Sequence, residues 1–161
     1  MGNFYTDVIY KDSRFNSVKL VNDVALLEPK TRQIVQEIIA ASAAAGLPLM
    51  VFETFRSQVR QAELFEKHAS MLKTVGVHHY GLACDLVKDV GGQPSWKGDF
   101  GFLGKLAHQH SIIWGGDWGA PGVHHGFVDS DHVQRITIKR QNALFAQTWY
   151  PDGDYDPYSD N

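Results

Sequence analysis

The stretch VHHYGLACDLV, residues 77 to 87, places two histidines and an aspartate inside an otherwise apolar run. Each buried polar group must find a partner, because burying it alone costs free energy. On a continuous helix, His78 and Asp85 would share a face but lie about 10 Å apart along the axis, too far for joint binding of one ion. On one straight strand, their odd separation sends the side chains to opposite faces. A bend at Gly81 resolves the conflict, because a histidine from the loop and Asp85 from the following strand then converge.

A second polar cluster lies in FVDSDHVQ, residues 127 to 134. Asp129 precedes His132 by three residues, a spacing that can set a carboxylate beside a metal-bound water while the imidazole holds the ion. Together with His78 and Asp85, His132 makes three protein ligands and leaves a fourth position for water. That open arrangement is typical of catalytic zinc rather than of structural zinc. The sequence therefore predicts a Zn²⁺ site that activates water.

The rest of the chain predicts helices and strands in irregular alternation. Helices are predicted over residues 29–45, 58–68, 99–110 and 139–147, with Ser57 as the N-cap of the second. Strands are predicted over 47–53, 83–87 and 132–136, with a turn at 89–92, another at 114–118 and an irregular loop at 119–126. Because the pattern lacks a regular βαβ alternation, the predicted fold class is α+β.

Charge and length limit the function classes. With 161 residues the chain is long enough for one domain, predicted at 1–150 and followed by an acidic tail at 151–161. The tail region holds four of the 18 acidic residues, so the body, which carries the 15 basic residues, is close to neutral. This argues against a nucleic-acid partner. The N-terminus lacks the pattern of a secretory signal, and no apolar run reaches about 18 residues, so we expect synthesis in the cytoplasm and no stable membrane association.

Several motifs, taken together, resemble one known family. HHYGLACD resembles the His-x-x-Gly-x-Ala-x-Asp signature of the zinc D-Ala-D-Ala carboxypeptidase and L-alanyl-D-glutamate endopeptidase family, and DSDH resembles its acid-x-x-His element. RSQVRQAELF resembles its Arg-Ser…Gln…Leu segment, and WGGDW its Gly-Gly-Asp-Trp turn. These elements stand in family order from about Leu20 to Gln134. The family includes phage endolysins and shares its fold with the Hedgehog signalling domain.

The resemblance implies a fold and a set of residue roles. The implied fold is a small antiparallel sheet flanked by helices, with a zinc site in a cleft on the sheet. The implied metal ligands are His78, Asp85 and His132. Asp129 takes the place of the catalytic acid/base, and Arg56 that of the cation that meets a substrate carboxylate or the developing oxyanion. Substrate contacts are implied for Arg56, Ser57, Gln61, His79 and Trp118.

Two positions depart from the family pattern. Gly76 stands where the family commonly has serine, which removes a possible hydrogen bond to the first ligand. Asp129 stands where many relatives have glutamate, and aspartate is frequent in the endopeptidase branch that includes phage enzymes. The second departure favours an endopeptidase.

Other interpretations of the same residues stay open. His78 and Asp85 can form a buried hydrogen-bonded pair without metal, Asp131 can replace Asp129 as the base, and Arg56 can be a solvated residue at a helix start. His124 and His125 are interpreted as surface or substrate-contacting residues rather than ligands, and Cys84 as a packing residue turned away from Asp85.

The predicted function is cleavage of the peptidoglycan stem peptide by a monomeric L-alanyl-D-glutamate endopeptidase. It would act as a phage endolysin that reaches the cell wall or periplasm after release from the cytoplasm. The alternatives are a D-alanyl-D-alanine carboxypeptidase and, from another class, a non-catalytic metal-binding module like the Hedgehog domain. A histidine-metal nuclease is disfavoured by the near-neutral body.

Overall fold

The computed structural model describes residues 2–68, 75–119 and 128–160 of the chain. Four α-helices are present in these residues: α1 (Pro29–Ala44), α2 (Gln58–Glu66), α3 (Gly101–Gln109) and α4 (Gln141–Phe145). Five strands accompany them: β1 (Leu49–Glu53), β2 (Ala83–Val90), β3 (Gln93–Ser95), β4 (Ile113–Trp114) and β5 (His132–Gln134). The predicted α+β class is confirmed. Within the described ranges, no helix is both long and apolar enough to cross a bilayer.

The sheet is antiparallel throughout, with the order β1-β2-β5-β4, and β3 pairs with the end of β2. Two neighbouring pairs are in register at the functional end: Glu53 of β1 lies opposite Asp85 of β2, and Asp85 lies opposite His132 of β5. Directly opposed residues on neighbouring strands project from the same face of a sheet. The pairing therefore sets Glu53, Asp85 and His132 in one row.

Two apolar clusters sandwich this sheet. One joins α1 and α3 to one face and includes Ile38, Cys84, Leu86, Leu103 and Val133. The other joins the N-terminal segment and the C-terminal region to the opposite side and includes Tyr5, Ile9, Tyr80, Ile136 and Leu144. Because Cys84 and Leu86 point into the first cluster, the residue between them, Asp85, turns to the other face. The prediction that Cys84 packs away from Asp85 is confirmed.

Polar side chains cap the starts of α1 and α2. Glu28 accepts a hydrogen bond from the backbone N–H of Thr31 (2.7 Å) at the start of α1, and Ser57 accepts one from Arg60 (3.0 Å) at the start of α2. Both contacts satisfy N–H groups that a helix leaves without a partner in its first turn. Ser57 is therefore the N-cap, as predicted.

The structure differs from the predicted elements at three places. Strand β2 runs on to Val90 and turns through Gly91 and Gly92 into β3, where the sequence predicted a simple end of the strand. Both glycines have positive φ, at 61° and 85°, which glycine adopts without strain, so the pair forms a hairpin turn. Strand β4 falls within the predicted turn at residue 114, and the last predicted helix is a 3₁₀ turn (Ile138–Arg140) followed by the short α4.

The C-terminal residues contact the rest of the chain through buried polar groups. The Arg135 side chain, fully buried, donates to the carbonyl oxygens of Asp152 (2.7 Å) and Tyr155 (2.9 Å) and pairs with Glu28 (2.9 Å). The Tyr150 hydroxyl donates to the carbonyl oxygen of Tyr80 (2.8 Å). The boundary at residue 150 stays a prediction, and these contacts tie both sides of it together.

Candidate metal centre

Gly81 provides the bend that the sequence required. It has φ of 74° and follows the 3₁₀ turn Val77–Tyr80, which carries His78. A Cβ atom here would lie 2.8 Å from the Leu26 carbonyl oxygen and 2.8 Å from the Ile9 side chain, so no other residue fits without displacement. The chain reverses at this point and enters β2, which carries Asp85.

Three predicted ligands converge on one point. Asp85 Oδ1 lies 3.2 Å from His78 Nε2 and 3.1 Å from His132 Nδ1, and the two imidazole rings are 5.1 Å apart. One ligand atom from each residue lies within 4.8 Å of the others. All three residues are buried, with exposed fractions of 8% or less.

The hydrogen bonds on the far side of each ring fix which nitrogen faces the centre. His78 Nδ1 lies 2.8 Å from the Thr54 carbonyl oxygen and must donate to it. Gln134 Nε2 donates to the Ile136 carbonyl (2.9 Å), which leaves its Oε1 to accept from His132 Nε2 (2.9 Å). The outer nitrogens, His78 Nδ1 and His132 Nε2, therefore carry the protons of the neutral rings. The other nitrogen of each ring, His78 Nε2 or His132 Nδ1, is then free to direct a lone pair toward Asp85.

The donor set fits a divalent cation. His78 Nε2 is buried and has no hydrogen-bond partner among the residues that the structure describes. Its lone pair faces a carboxylate oxygen, a repulsive arrangement unless a positive charge lies between them. Two imidazole nitrogens and one carboxylate oxygen are the ligands of catalytic zinc, and a hydrogen-bonded outer nitrogen is the usual support of a metal-binding histidine.

The ionisation of His132 and Asp85 in the absence of metal also fits a cation site. Burial disfavours a charged imidazole, but the hydrogen bond to Asp85 and the charge of Asp129 raise the pKa of His132 to about 9. Burial acts against the Asp85 carboxylate as well, yet His78 and His132 hold the pKa of that carboxyl well below its usual range. Without metal, His132 therefore carries a second proton on Nδ1, the nitrogen that faces Asp85, and a bound cation would replace that proton.

Asp129 lies beside the ligands, with its Oδ2 3.9 Å from His132 Nδ1 and about a third of its side chain exposed. Its backbone N–H donates to the Gly115 carbonyl (3.1 Å), and its carbonyl accepts from His132 N–H (3.3 Å). A Cβ at Gly115 would come within 2.2 Å of the Asp129 carbonyl oxygen, so this close approach requires glycine. The Gly-Gly-Asp-Trp turn thus positions the acid.

Asp131 has a different environment from Asp129. Burial, the hydrogen bond with Asp129 and the nearby Asp85 charge raise the pKa of Asp131 to about 8, although the Trp96 indole N–H donates to it (2.9 Å) and acts in the opposite direction. The Asp131 carboxyl is thus bound to the Trp96 indole, whereas Asp129 lies beside His132, and this placement favours Asp129 as the base. Trp96 itself is half exposed and packs edge-on against Phe52 at 4.8 Å.

Arg56 reaches the centre from the loop between β1 and α2. Its Nη2 lies 2.7 Å from Glu53 Oε1 and 3.5 Å from Asp85 Oδ2, and its Nη1 donates to Gln61 Oε1 (3.2 Å). Burial acts to lower the pKa of Arg56, but the charges of Glu53 and Asp85 outweigh it and raise the pKa. Only 14% of the side chain is exposed, so the interpretation as a solvated residue does not describe its surroundings.

The remaining predicted substrate contacts occupy varied positions. Ser57 and Gln61 are both 1% exposed, and the Ser57 hydroxyl donates to the Ser17 carbonyl. His79 is buried, with Nδ1 3.0 Å from the Arg56 carbonyl and Nε2 3.0 Å from the Tyr5 hydroxyl. The Trp118 ring lies 5.3 Å from that of His132. Contact of these residues with substrate stays a prediction, and His124 and His125 lie outside the described residues.

Sequence reasoning did not identify Glu53 and Arg60. Glu53 is 1% exposed and binds both guanidinium groups, Arg56 through Oε1 and Arg60 through Oε2 (2.5 Å). Burial acts against its ionisation, but the charge and hydrogen bonds of Arg56 lower the pKa of Glu53. The sequence feature that could have indicated Glu53 is its position as a charged residue at the end of an apolar strand, in LMVFETFR.

Comparison with known proteins finds one curated peptidase and several solved peptidase structures that are similar to this chain. No family model matches the chain. It is 31% identical to the L-alanyl-D-glutamate peptidase of Listeria phage A118, in an alignment that covers 76% of this chain and 42% of that protein. The chain therefore spans less than half the length of this curated relative.

Solved structures share the fold. The L-Ala D-Glu endopeptidase ChiX of Serratia marcescens matches with a TM-score of 0.58 at 23% identity, over 72% of this chain and 84% of that one. The LD-carboxypeptidase LdcB matches with 0.54 at 16% identity, over 80% and 75%. VanYB in complex with D-alanine-D-alanine matches with 0.52 at 16% identity, over 76% and 78%. The fold and the resemblance found in the motifs are confirmed.

Proposed function

The motifs, the fold and the 31% identity to a phage peptidase all support the zinc D-Ala-D-Ala carboxypeptidase and L-alanyl-D-glutamate endopeptidase family. From this premise we propose that the chain is a member of that family, a zinc-dependent peptidase that cleaves the peptidoglycan stem peptide. The observation that carries the proposal is the convergence of His78 Nε2, His132 Nδ1 and Asp85 Oδ1 on one point, next to Asp129 and Arg56. Neither a structural zinc site nor a plain buried ion pair needs an additional, partly exposed acid and a guanidinium at its edge.

The metal would be held by His78, Asp85 and His132. Zinc bound there supplies Lewis-acid polarisation of the scissile carbonyl and lowers the pKa of water toward about 7. The same chemistry makes a side-chain nucleophile unnecessary. Gln134 and the Thr54 carbonyl keep both imidazole rings in the tautomer that can bind the ion.

Asp129 acts as the general acid/base. Its carboxylate lies next to the three ligands His78, Asp85 and His132 (the ligand trio) but is not one of them, with Oδ2 3.9 Å from His132 Nδ1. From there it accepts the proton of the attacking water and passes it to the leaving amine, so that no charged amide nitrogen has to depart. Asp131, whose carboxyl accepts from the Trp96 indole and whose pKa is raised by burial, is the weaker candidate for the base.

Arg56 stabilises negative charge that develops on the scissile carbonyl oxygen. Its guanidinium is oriented by Glu53 and Gln61 and reaches to 3.5 Å from Asp85. A preorganised cation in a largely buried site stabilises such charge far better than water does.

The bond that we propose is the one between L-alanine and D-glutamate. The phage relative and the Serratia structure carry this activity in their names. VanYB, by contrast, was solved with D-alanine-D-alanine, so carboxypeptidase activity is the second candidate. We further propose that the protein works as a monomeric phage endolysin on the cell wall.

Product analysis tests the proposal. Purified zinc-loaded protein is incubated with peptidoglycan, and the fragments are identified by mass spectrometry. New peptides that begin with D-glutamate support the endopeptidase, and free D-alanine would instead indicate the carboxypeptidase. Removal of zinc with a chelator should stop release of either product, and re-addition should restore it. A protein that binds zinc and releases neither product would contradict the proposal.

A further inference from the structure

Arg60 is a second guanidinium bound to Glu53, the residue opposite Asp85 in the sheet, and the mechanism above does not use it. It is the third residue of α2, and its backbone N–H is fixed by the Ser57 hydroxyl at 3.0 Å. Its Nε donates to Glu53 Oε2 at 2.5 Å, and 18% of its side chain is exposed. The inner edge of the guanidinium is therefore anchored.

The outer edge of this guanidinium is available. Among the residues that the structure describes, Arg60 Nη1 and Nη2 have no hydrogen-bond acceptor, and Nε bonds only to Glu53. Two parallel N–H groups on a planar, anchored guanidinium are complementary to the two oxygens of a carboxylate. Lysine would not present this pair of donors in a fixed plane.

The local charge also favours the binding of an anion. The single carboxylate of Glu53 serves two guanidinium groups, because Oε1 binds Arg56 and Oε2 binds Arg60. Arg56 gains a second partner in Asp85, at 3.5 Å, whereas Arg60 has no other carboxylate among the described residues. Near a cation held by the ligand trio, this leaves surplus positive charge at Arg60. A bound carboxylate would neutralise it.

We propose, on the basis of the proposed function, that Arg60 determines specificity by binding the free α-carboxylate of the D-glutamate whose amine leaves. That carboxylate is attached one carbon from the scissile nitrogen, so it stays close to the reacting bond. Arg56 contacts Asp85 directly, whereas Arg60 is connected to Arg56 only through the carboxylate of Glu53 and is therefore farther from Asp85. The nearer guanidinium thus meets the carbonyl oxygen and the farther one the carboxylate. The enzyme selects stem peptides with a free carboxylate over those in which it is a carboxamide.

The test compares two peptides that differ only at this group, one with D-glutamate and one with D-isoglutamine after L-alanine. We expect zinc-loaded wild-type protein to cleave the carboxylate peptide with a kcat/KM about 10- to 100-fold higher, because a charge-assisted bidentate contact is lost with the amide. In Arg60→Gln this ratio should fall to near one, mainly through KM for the carboxylate peptide. Arg60→Lys should retain only part of the preference.

Lys67→Gln is the matched control, because it removes an exposed positive charge next to the same helix, at a residue paired with Glu63. It should leave the ratio unchanged. Thermal melting checks that each Arg60 variant is folded. If Arg60→Gln lowers cleavage of both peptides equally, Arg60 only supports Glu53 and the proposal is overturned.

Calorimetry separates this proposal from the proposed function. The peptides that would be released, which begin with D-glutamate or D-isoglutamine, are titrated into zinc-loaded protein. Tighter binding of the carboxylate peptide, lost in Arg60→Gln, supports the role of Arg60 even if neither peptide bond is cut. Equal affinity of wild-type protein for both peptides contradicts it, whatever the cleavage assay shows.

Discussion

At the scale of single residues, Asp129 and the ligand trio perform separable tasks. Asp129→Asn should lower kcat by about a hundredfold or more, because the amide cannot accept the proton of the attacking water. Zinc content, measured by elemental analysis, should stay near one ion per chain, since the three ligand atoms belong to other residues.

The comparison variant for this prediction is His132→Ala, which removes one ligand and should lose both zinc and activity. Near-normal activity in Asp129→Asn would move the role of the base to Asp131, whose side chain lies in the same acidic cluster.

Gln134 should control metal affinity without touching the metal. Its Oε1 accepts from His132 Nε2 at 2.9 Å, which keeps the lone pair of Nδ1 directed at the centre. Replacement by leucine, of similar size, removes this acceptor and should weaken zinc binding roughly 10- to 100-fold. Competition with a chelating dye measures the change. Gln33→Leu, on the exposed side of α1, is the control and should bind zinc as wild type does. Unchanged affinity in Gln134→Leu would show that His132 needs no such support.

The convergence of His78 and Asp85 was predictable because these two residues and Gly81 are close together in the sequence. A histidine, a glycine and an aspartate within eight positions require a bend, and Gly81 with φ of 74° supplies it. Glu53 was not predictable in the same way. The pairing of β1 with β2 shifts register between Val51 and Glu53, and this irregularity decides which face the carboxylate takes. No sequence period reveals such a shift.

At the scale of elements, the row formed by Glu53, Asp85 and His132 crosses the three strands β1, β2 and β5. The stability of this end of the sheet therefore depends on the pairing of its carboxylates with positive charges. Glu53→Gln removes the partner of two largely buried guanidinium groups and should destabilise the protein by about 3 kcal/mol at pH 7.

The effect of Glu53→Gln should depend on pH in a defined direction. Burial opposes the charge of Glu53, but Arg56 lowers its pKa below the ordinary 4.5. A carboxyl with a lowered folded-state pKa contributes stability above its unfolded pKa, and this is lost as pH falls through the folded value. The difference in melting temperature between wild type and Glu53→Gln should therefore be full above about pH 5 and shrink toward pH 3. A difference that grows with acidification would contradict the ion pair.

The main helices were predicted to within two residues at most ends because their caps are encoded locally. Glu28 and Ser57 accept the N–H bonds of the first turns of α1 and α2. The short strands β3 and β4 escaped prediction, since two or three residues carry no readable alternation and form only through their neighbours.

At the scale of the whole molecule, one buried guanidinium connects the start of α1 to the C-terminal residues. Arg135 is fully buried and binds the Glu28 carboxylate and the carbonyl oxygens of Asp152 and Tyr155. It follows β5 directly, so it also lies three residues from the ligand His132. Residues 151 to 161 were predicted as an acidic tail outside the domain, but composition does not reveal that carbonyl groups of this segment are the acceptors for a buried cation.

Arg135→Ala should therefore unfold more easily by about 3 to 5 kcal/mol, because it leaves Glu28 buried without its cation and two carbonyl groups without a donor. Urea denaturation at pH 7 measures this. Arg135→Lys should recover little, since one ammonium group cannot reproduce the fixed directions of the fork. Arg140→Ala, which removes a more exposed pair with Asp160, is the control and should change stability only slightly. If the two alanine variants unfold at the same urea concentration, the C-terminal residues pack independently of the buried cation, and deletion of residues 150 to 161 should then leave zinc affinity intact.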